Sequence, residues 1–204
     1  MAYGNFGTYE EVATAFGIAL QECAFVQERR LTIKPDVFDF ISENLRLRRN
    51  YVSENAICES MIAPILTVVA KEHDLPLWSH VPFDVSPEDG LIGIPDYMFA
   101  PASPIGTTFG RPVIMVAEAK RENFNAGWAQ SLAEMIAAQR FNHEEQTEIF
   151  GIVTTGNFWQ LGKLRERLLT MEVVSYSALE DLQRLLNVLN WICFEAKQQI
   201  LMEH

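Results

Sequence analysis

The feature that most constrains the fold is an apolar, β-branched run that ends in charged residues, PVIMVAEAKRENF, residues 112–124. Residues 113–117 have the composition of a strand in the interior of a sheet. Glu118 and Lys120 follow where such a strand would leave its core. Because residues two apart on a strand point to the same face, the Glu118 and Lys120 side chains are predicted to project together, while Ala119 points into the packing.

A second polar position comes from the segment GIPDY, which places Asp96 in a run with the pattern of a preceding strand. Pro95 lacks a backbone donor and so suits a place where a strand bends or its pairing fails. The strands that carry Asp96 and Glu118 are predicted to be antiparallel neighbours, which brings Asp96, Glu118 and Lys120 together. Two carboxylates beside open positions for water and phosphate suit Mg²⁺ or Mn²⁺. An ammonium beside them can orient or help deprotonate an attacking water and offset the charge of a phosphate.

Similar short motifs elsewhere carry less weight. The triplet Glu195–Lys197 lies in a helix-period segment, where residues two apart do not face each other, so we expect a solvated helix edge. Asp36 also follows a proline, but there the pair indicates a helix start. The four histidines show no metal-ligand spacing, so a histidine-ligated metal is not expected; they are His73, His80, His143 and His204.

The order of elements predicts an α/β fold, with an α-β-β-β-α-β core, a mixed sheet flanked by helices, and a C-terminal helix. Residues 1–50 are predicted as an N-terminal helical prelude, with one helix from Thr8 to about Val26 and another over about residues 36–48. Residues 51–204 are predicted as the main core, which opens with a helix capped by Ser53. Pro64 should kink or break that helix. The predicted later elements are strands over 75–85, 90–100, 113–120, 148–156, 158–164 and 172–177, and helices over 125–142 and 178–201.

Composition limits the partners and the compartment. The chain has a net charge of −11, which counts against strong non-specific binding to nucleic acid, since such binding relies on Lys and Arg. Two basic stretches, residues 45–50 and 163–167, are either solvated faces or phosphate contacts. Three separated cysteines fit buried thiols in a reducing compartment, and no segment is long and apolar enough to span a bilayer. We therefore expect a cytoplasmic protein that does not enter the membrane.

Taken in order, these segments resemble the PD-(D/E)XK, or restriction-endonuclease-like, nuclease superfamily. Pro95-Asp96 followed by Glu118-Ala119-Lys120 matches its signature. SENAICESMIAPIL, AEAK, WAQSLAEM and GIVTTGNFWQLGKL are similar, in order, to segments of the N-terminal nuclease domain of type I restriction motor subunits. The resemblance covers about residues 53–164, and the helicase motor of those subunits has no counterpart here.

This resemblance implies a Mg²⁺- or Mn²⁺-dependent nuclease that hydrolyses phosphodiester bonds, with DNA as the expected substrate. It implies that Asp96 and Glu118 bind the metal, that the Ala119 carbonyl adds a ligand, and that Lys120 is the catalytic lysine. Glu54 matches the helical acid of the family, and its place on the apolar stripe of its helix predicts that it points inward; Glu59 is the alternative.

Gln130 matches the glutamine of the helix that follows the lysine strand. In related nucleases a tyrosine often follows that glutamine by four residues, whereas this chain has Glu134 there. This difference argues against a RecB-like exonuclease but leaves the core site unchanged.

Two function classes remain open at this point. One is the metal-dependent nuclease, acting alone, as a homodimer or with a partner subunit. The other is a catalytically silent module that keeps the nuclease fold to bind nucleic acid or protein. The presence of two carboxylates and a lysine favours the enzyme, and the acidic charge favours the module or a partner that supplies DNA affinity.

Overall fold

A mixed, open sheet lies at the centre of the chain in a computed structural model that describes residue 3 and residues 6–202. Within those residues the sheet has eight strands: β1 (Ala19–Glu22), β2 (Leu77–Ser79), β3 (Tyr97–Phe99), β4 (Met115–Ala119), β5 (Ile149–Thr154), β6 (Phe158–Arg165), β7 (Leu168–Met171) and β8 (Tyr176–Ser177). The helices that accompany it are α1 (Tyr9–Phe16), α2 (Pro35–Arg46), α3 (Glu54–Ile57), α4 (Ala63–Glu72), α5 (Phe124–Asn142) and α6 (Leu182–Met202).

The strand order is β1-β7-β6-β5-β4-β3-β2, with β8 paired to β6. Strands β2, β3 and β4 form an antiparallel meander, and α5 then connects β4 to β5, which lies parallel to it. Strands β5, β6 and β7 are again antiparallel neighbours. The predicted α/β class, with a mixed sheet and flanking helices, is therefore confirmed.

Two hydrophobic layers cover the two faces of the sheet. Alternate residues of β4 divide between them: Ala117 packs with α4 and α6, whereas Val116 packs with α5 and α1. Successive residues of β4 are buried on opposite faces of the sheet, so the strand is buried at every position, as expected of a strand covered on both faces. Helix α5 is buried at almost every position from Gly127 to Gln139, which matches the predicted helix over residues 125–142.

The predicted N-terminal prelude is wrong in one respect. The first helix ends at Phe16 because Gly17 adopts a left-handed conformation at its C-terminus, with φ of 67°. The chain then forms β1, which pairs in parallel with β7 at the edge of the sheet, although the sequence predicted helix there. Thr8 does cap the helix, accepting a hydrogen bond from the Glu11 amide at 3.3 Å.

Strand predictions were right in position but too long around the meander. Of residues 75–85 only β2 is a strand, and of residues 90–100 only β3. Strand β7 was not predicted. A strand was predicted at residues 172–177, of which only the two residues of β8 form one. The final helix begins at Leu182, four residues later than expected.

Pro64 alters its helix as predicted, but by a change of pitch. Between α3 and α4, residues Cys58–Ile62 form a π-helical turn, and the backbone stays helical through both junctions. Proline has no amide hydrogen and its ring crowds the carbonyl four residues earlier, so a wider turn accommodates it without ending the helix. The result is a change of helical phase directly beside the candidate site.

No helix among the described residues combines the length and the apolar character needed to cross a membrane.

Candidate active site

Asp96, directly before β3, and Glu118 of β4 lie side by side where these antiparallel strands meet. Tyr97 pairs with Ala117, so Asp96 stands opposite Glu118 one position further along. The Asp96 amide donates to Glu118 Oε1 at 3.2 Å, and Asp96 Oδ2 accepts from the Ala119 amide at 2.8 Å. The predicted neighbouring arrangement of the two carboxylates is confirmed.

Lys120 completes the cluster from the same strand end. Its Nζ lies 3.5 Å from Glu118 Oε2, as the spacing of two residues predicted, and its side chain is 19% exposed. Burial alone would lower the Lys120 pKa, but the carboxylates of Glu118, Glu54 and Asp96 outweigh it, and the pKa is raised. Lys120 is therefore an ammonium at neutral pH.

Glu118 is fully buried, and this dominates its electrostatics. Burial, followed by repulsion from Asp96, raises the pKa of Glu118 to about 7. Hydrogen bonding to Glu134 and the charge of Lys120 act in the opposite direction without restoring the usual value. One ammonium does not compensate this group of acids, and a cation at the site would relieve the remaining repulsion.

Glu134 is the acid that sequence analysis did not place in the site. It is fully buried on α5, and its carboxyl group faces that of Glu118, with which it shares a hydrogen bond. Burial and then Glu118 raise its pKa well above the usual range, so Glu134 carries the proton and donates. Apart from this contact with Glu118, the Glu134 Oε2 atom has no hydrogen-bond partner among the described residues. The signal in the sequence was that α5 is apolar or small on almost every side, which leaves a central glutamate no route to solvent.

Gln130 lies one turn before Glu134 and is half-buried. Its Nε2 donates to Glu134 Oε1 at 3.2 Å. The structure thus connects Gln130 to the cluster through Glu134, and among the described contacts it has no direct hydrogen bond to Asp96, Glu118 or Lys120.

The prediction that Glu54 points inward is wrong. Glu54 is the first residue of α3, at the open end of the helix directly after the Ser53 cap, and it is exposed. It nevertheless lines one surface cavity together with Lys120 and Arg121, and its charge contributes to the raised pKa of Lys120. The alternative, Glu59, is exposed on the π turn and does not line that cavity.

His80 is a second residue that sequence analysis missed. Its Nε2 lies 3.3 Å from Asp96 Oδ1, and its backbone amide donates to the Asp96 carbonyl at 3.1 Å. The buried Cys58 thiol reaches the same place from the π turn. Because His80 and Cys58 lie 16 and 38 residues before Asp96, only the tertiary fold brings the three together. His204 lies outside the described residues.

Two other expectations need correction. The triplet at Glu195–Lys197 is helical, as predicted, but Ala196 is fully buried and Lys197 donates a hydrogen bond to the His73 carbonyl, so it is not a solvated edge. Cys23 is exposed, whereas Cys58 and Cys193 are the buried thiols that were expected.

Comparison of the chain with models of known protein families and with curated proteins finds no match.

Proposed function

We propose that this protein is a divalent-metal-dependent phosphodiesterase that hydrolyses DNA, and that its core has the restriction-endonuclease-like topology. The topology is supported by the order α4-β2-β3-β4-α5-β5, an antiparallel meander followed by a helical crossover to a parallel strand. The observation that carries the function is the meeting of Asp96, Glu118 and Lys120 at one strand end, where Glu118 contacts Asp96 at 3.2 Å and Lys120 at 3.5 Å.

The donor set suits a hard divalent cation. Asp96 and Glu118 offer carboxylate oxygens. Burial raises the pKa of Glu118, and the neighbouring Lys120 ammonium offsets only part of this rise. In this proposal Asp96, Glu118 and the Ala119 carbonyl hold Mg²⁺ or Mn²⁺, and Glu54 contributes from the cavity that it shares with Lys120. Such an ion, when bound, supplies charge stabilisation to the phosphate and acidifies water.

Lys120 acts as a charged donor in this mechanism. Because the surrounding carboxylates raise its pKa, it stays protonated near neutral pH and is not the base. Its ammonium orients the attacking water and offsets the negative charge that develops on the phosphate. The 3.5 Å contact with Glu118 holds it at the strand end, where the substrate phosphate would arrive.

Gln130 and Glu134 are assigned as positioning residues. Gln130 fixes one oxygen of Glu134, and Glu134 donates to Glu118, so the pair sets the orientation of a buried ligand from behind. The residue pair thus supports Glu118 without touching the substrate.

The acidic chain needs a local basic surface to bind DNA. Arg121 lines the cavity beside Lys120, and Arg46, Arg48 and Arg49 are exposed at the end of α2 and in the turn that follows it, before α3. In this proposal Arg121 contacts a phosphate at the cluster, the three other arginines contact phosphates further along the DNA, and a homodimer or a partner subunit supplies the rest.

The deciding experiment is a nicking and degradation assay with Mn²⁺ on plasmid DNA, single-stranded DNA and RNA. Wild-type protein is compared with Lys120→Ala and with Lys71→Ala, a control that removes an exposed lysine of α4. We expect wild type and Lys71→Ala to cleave and Lys120→Ala to lose at least about 100-fold in rate.

Two results would overturn the proposal. Cleavage that persists undiminished in Lys120→Ala would locate the activity in another site or a contaminant. Absence of wild-type cleavage on all three substrates would favour the silent nuclease-fold module, whose remaining function is then measured as binding to the same nucleic acids.

A further inference from the structure

A thiol, an imidazole and a carboxylate meet beside the acidic cluster. Cys58 comes from the π turn, His80 from the segment after β2, and Asp96 from the start of β3. One ligand atom from each lies within 4.8 Å of the other two. Sulfur and nitrogen ligands prefer transition-metal ions, unlike the all-oxygen set that Asp96 forms with Glu118.

His80 is oriented as a metal-ligating histidine usually is. Its backbone is left-handed, with φ of 51°, and its amide donates to the Asp96 carbonyl, which fixes the residue against β3. Its Nδ1 lies 2.8 Å from Ser79 Oγ, so the other ring nitrogen, Nε2, is the one that faces Asp96. An outer hydrogen bond on one ring nitrogen is the usual means of directing the other towards a metal.

The spacing fits tetrahedral coordination. Ligands about 2.0–2.1 Å from Zn²⁺ at the tetrahedral angle are about 3.3 Å apart. The distance between His80 Nε2 and Asp96 Oδ1 is 3.3 Å.

The third ligand is also held in place by its surroundings. Cys58 is buried, and its carbonyl accepts a hydrogen bond from the Tyr97 hydroxyl at 2.9 Å. The π turn places its Sγ within 4.8 Å of the other two ligand atoms, so the thiol is the third candidate ligand.

We propose that Cys58, His80 and Asp96 form a binding site for a divalent transition-metal ion of the Zn²⁺ type, separate from the Mg²⁺ site and sharing Asp96 with it. Binding releases the thiol proton to solvent and leaves the fourth position to water. Because Asp96 serves both sites, a transition-metal ion and Mg²⁺ compete, and Zn²⁺ would withdraw a ligand from the proposed nuclease centre. The Cys58–His80–Asp96 site itself does not depend on nuclease activity.

The test is a titration of the full chain with Co²⁺, a spectroscopic substitute for Zn²⁺, following thiolate-to-cobalt charge-transfer absorption in the near ultraviolet. We expect one ion per chain for wild type and for Cys23→Ser, which removes the exposed thiol. Cys58→Ser should lose the band. His80→Ala, a change at a side chain that is 47% exposed, should keep the fold and bind at least about tenfold more weakly.

The same titration separates this site from the Mg²⁺ site. Excess Mg²⁺ should weaken Co²⁺ binding to wild type but not to Glu118→Gln, which keeps all three transition-metal ligands. No charge-transfer band in wild type, a band that depends on Cys23, or unchanged affinity in His80→Ala would each overturn the proposal. If the band appears but the wild-type protein does not cleave DNA or RNA, the transition-metal site stands and only the proposed function fails.

Discussion

The carboxyl group of Glu134 faces that of Glu118 in the buried layer between α5 and β4, and burial raises the pKa of both groups. Both side chains are fully inaccessible to solvent. When both groups of a buried acid pair ionise, the free energy of unfolding decreases. The pairing itself depends on the packing of α5 against β4, which no local segment of the sequence encodes. The pair gives the metal-free protein a pH dependence that can be measured.

Stability of the metal-free protein should fall as the pH rises from about 4.5 to 7. In that window the folded chain holds a proton on Glu118 that the unfolded chain, with the usual pKa of 4.5, has released. Proton binding therefore favours the folded state at the acidic end, and the contribution, on the order of 3 kcal/mol, is lost as the pH passes 7. The measurement is urea unfolding in EDTA across this range.

The Glu118→Gln variant should show a flatter pH profile than wild type, because the amide does not ionise. Glu122→Gln, at an exposed position near the same strand end, is the control and should follow the wild-type profile. Parallel profiles for wild type and Glu118→Gln would contradict the raised pKa.

Mg²⁺ or Mn²⁺ should raise the thermal midpoint of wild type, since a ligand that binds only the folded state stabilises it. Asp96→Asn should lose most of the rise, because an amide is a poorer ligand for a hard cation. Differential scanning fluorimetry with and without metal measures both. Equal shifts in wild type and Asp96→Asn would mean that the ion binds elsewhere on the acidic surface.

Gly127→Ala should destabilise the protein and disturb Lys120. A Cβ at Gly127 would lie 2.4 Å from Val153 Cγ1 and 3.1 Å from Lys120 Cγ, so helix α5 would have to move away from β4 and β5. We expect a loss of about 1–3 kcal/mol in the free energy of unfolding and a weaker response to Mg²⁺.

Gly110→Ala is the matched control for this change. Its added Cβ would meet Pro101 O at 3.5 Å, an ordinary contact, so its stability should stay close to wild type. A Gly127→Ala variant as stable as Gly110→Ala in denaturant unfolding would show that α5 does not pack so closely there.

Lys197→Ala should lower the free energy of unfolding by about 1 kcal/mol, because Lys197 donates to the carbonyl of His73, which caps the C-terminus of α4. The Mg²⁺-induced shift should be unchanged, since the contact lies outside the acidic cluster. Lys71→Ala, at an exposed position of α4, should leave the stability within about 0.5 kcal/mol of wild type. If Lys197→Ala left the free energy of unfolding unchanged, the result would favour the original prediction that this triplet is a solvated helix edge.

Arg48→Ala combined with Arg49→Ala should weaken DNA binding and its salt dependence. Both side chains are exposed in the turn between α2 and α3, and Glu54 of α3 shares a cavity with Lys120. Loss of two phosphate contacts should reduce the slope of log affinity against log salt by about 2. Fluorescence anisotropy with labelled DNA measures the slope, and Arg165→Ala, in the other basic stretch, is the control. If the slope changed only in Arg165→Ala, the DNA-binding surface would lie at β6 and not at Arg48 and Arg49.

The sequence by itself determined the class of fold and the centre of the site. A continuous apolar run with β-branched residues identified β4, and the spacing of two residues placed Glu118 and Lys120 on one face, because these are properties of a single strand. Asp96 could be added because a predicted antiparallel neighbour needs only a short connection. Helix α5 was predicted almost to the residue, since its caps and its length are local features.

Only the tertiary structure decided the partners that surround this centre. Glu134 reaches Glu118 because α5 packs on β4, and Cys58 reaches His80 because the π turn lies beside the segment that follows β2. Glu54 is exposed at the first position of α3, although its stripe predicted burial. Strand β1 became part of the sheet because β7 offered an edge for parallel pairing. Contacts between elements depend on packing over the whole chain, and the local patterns of helices and strands do not contain that information.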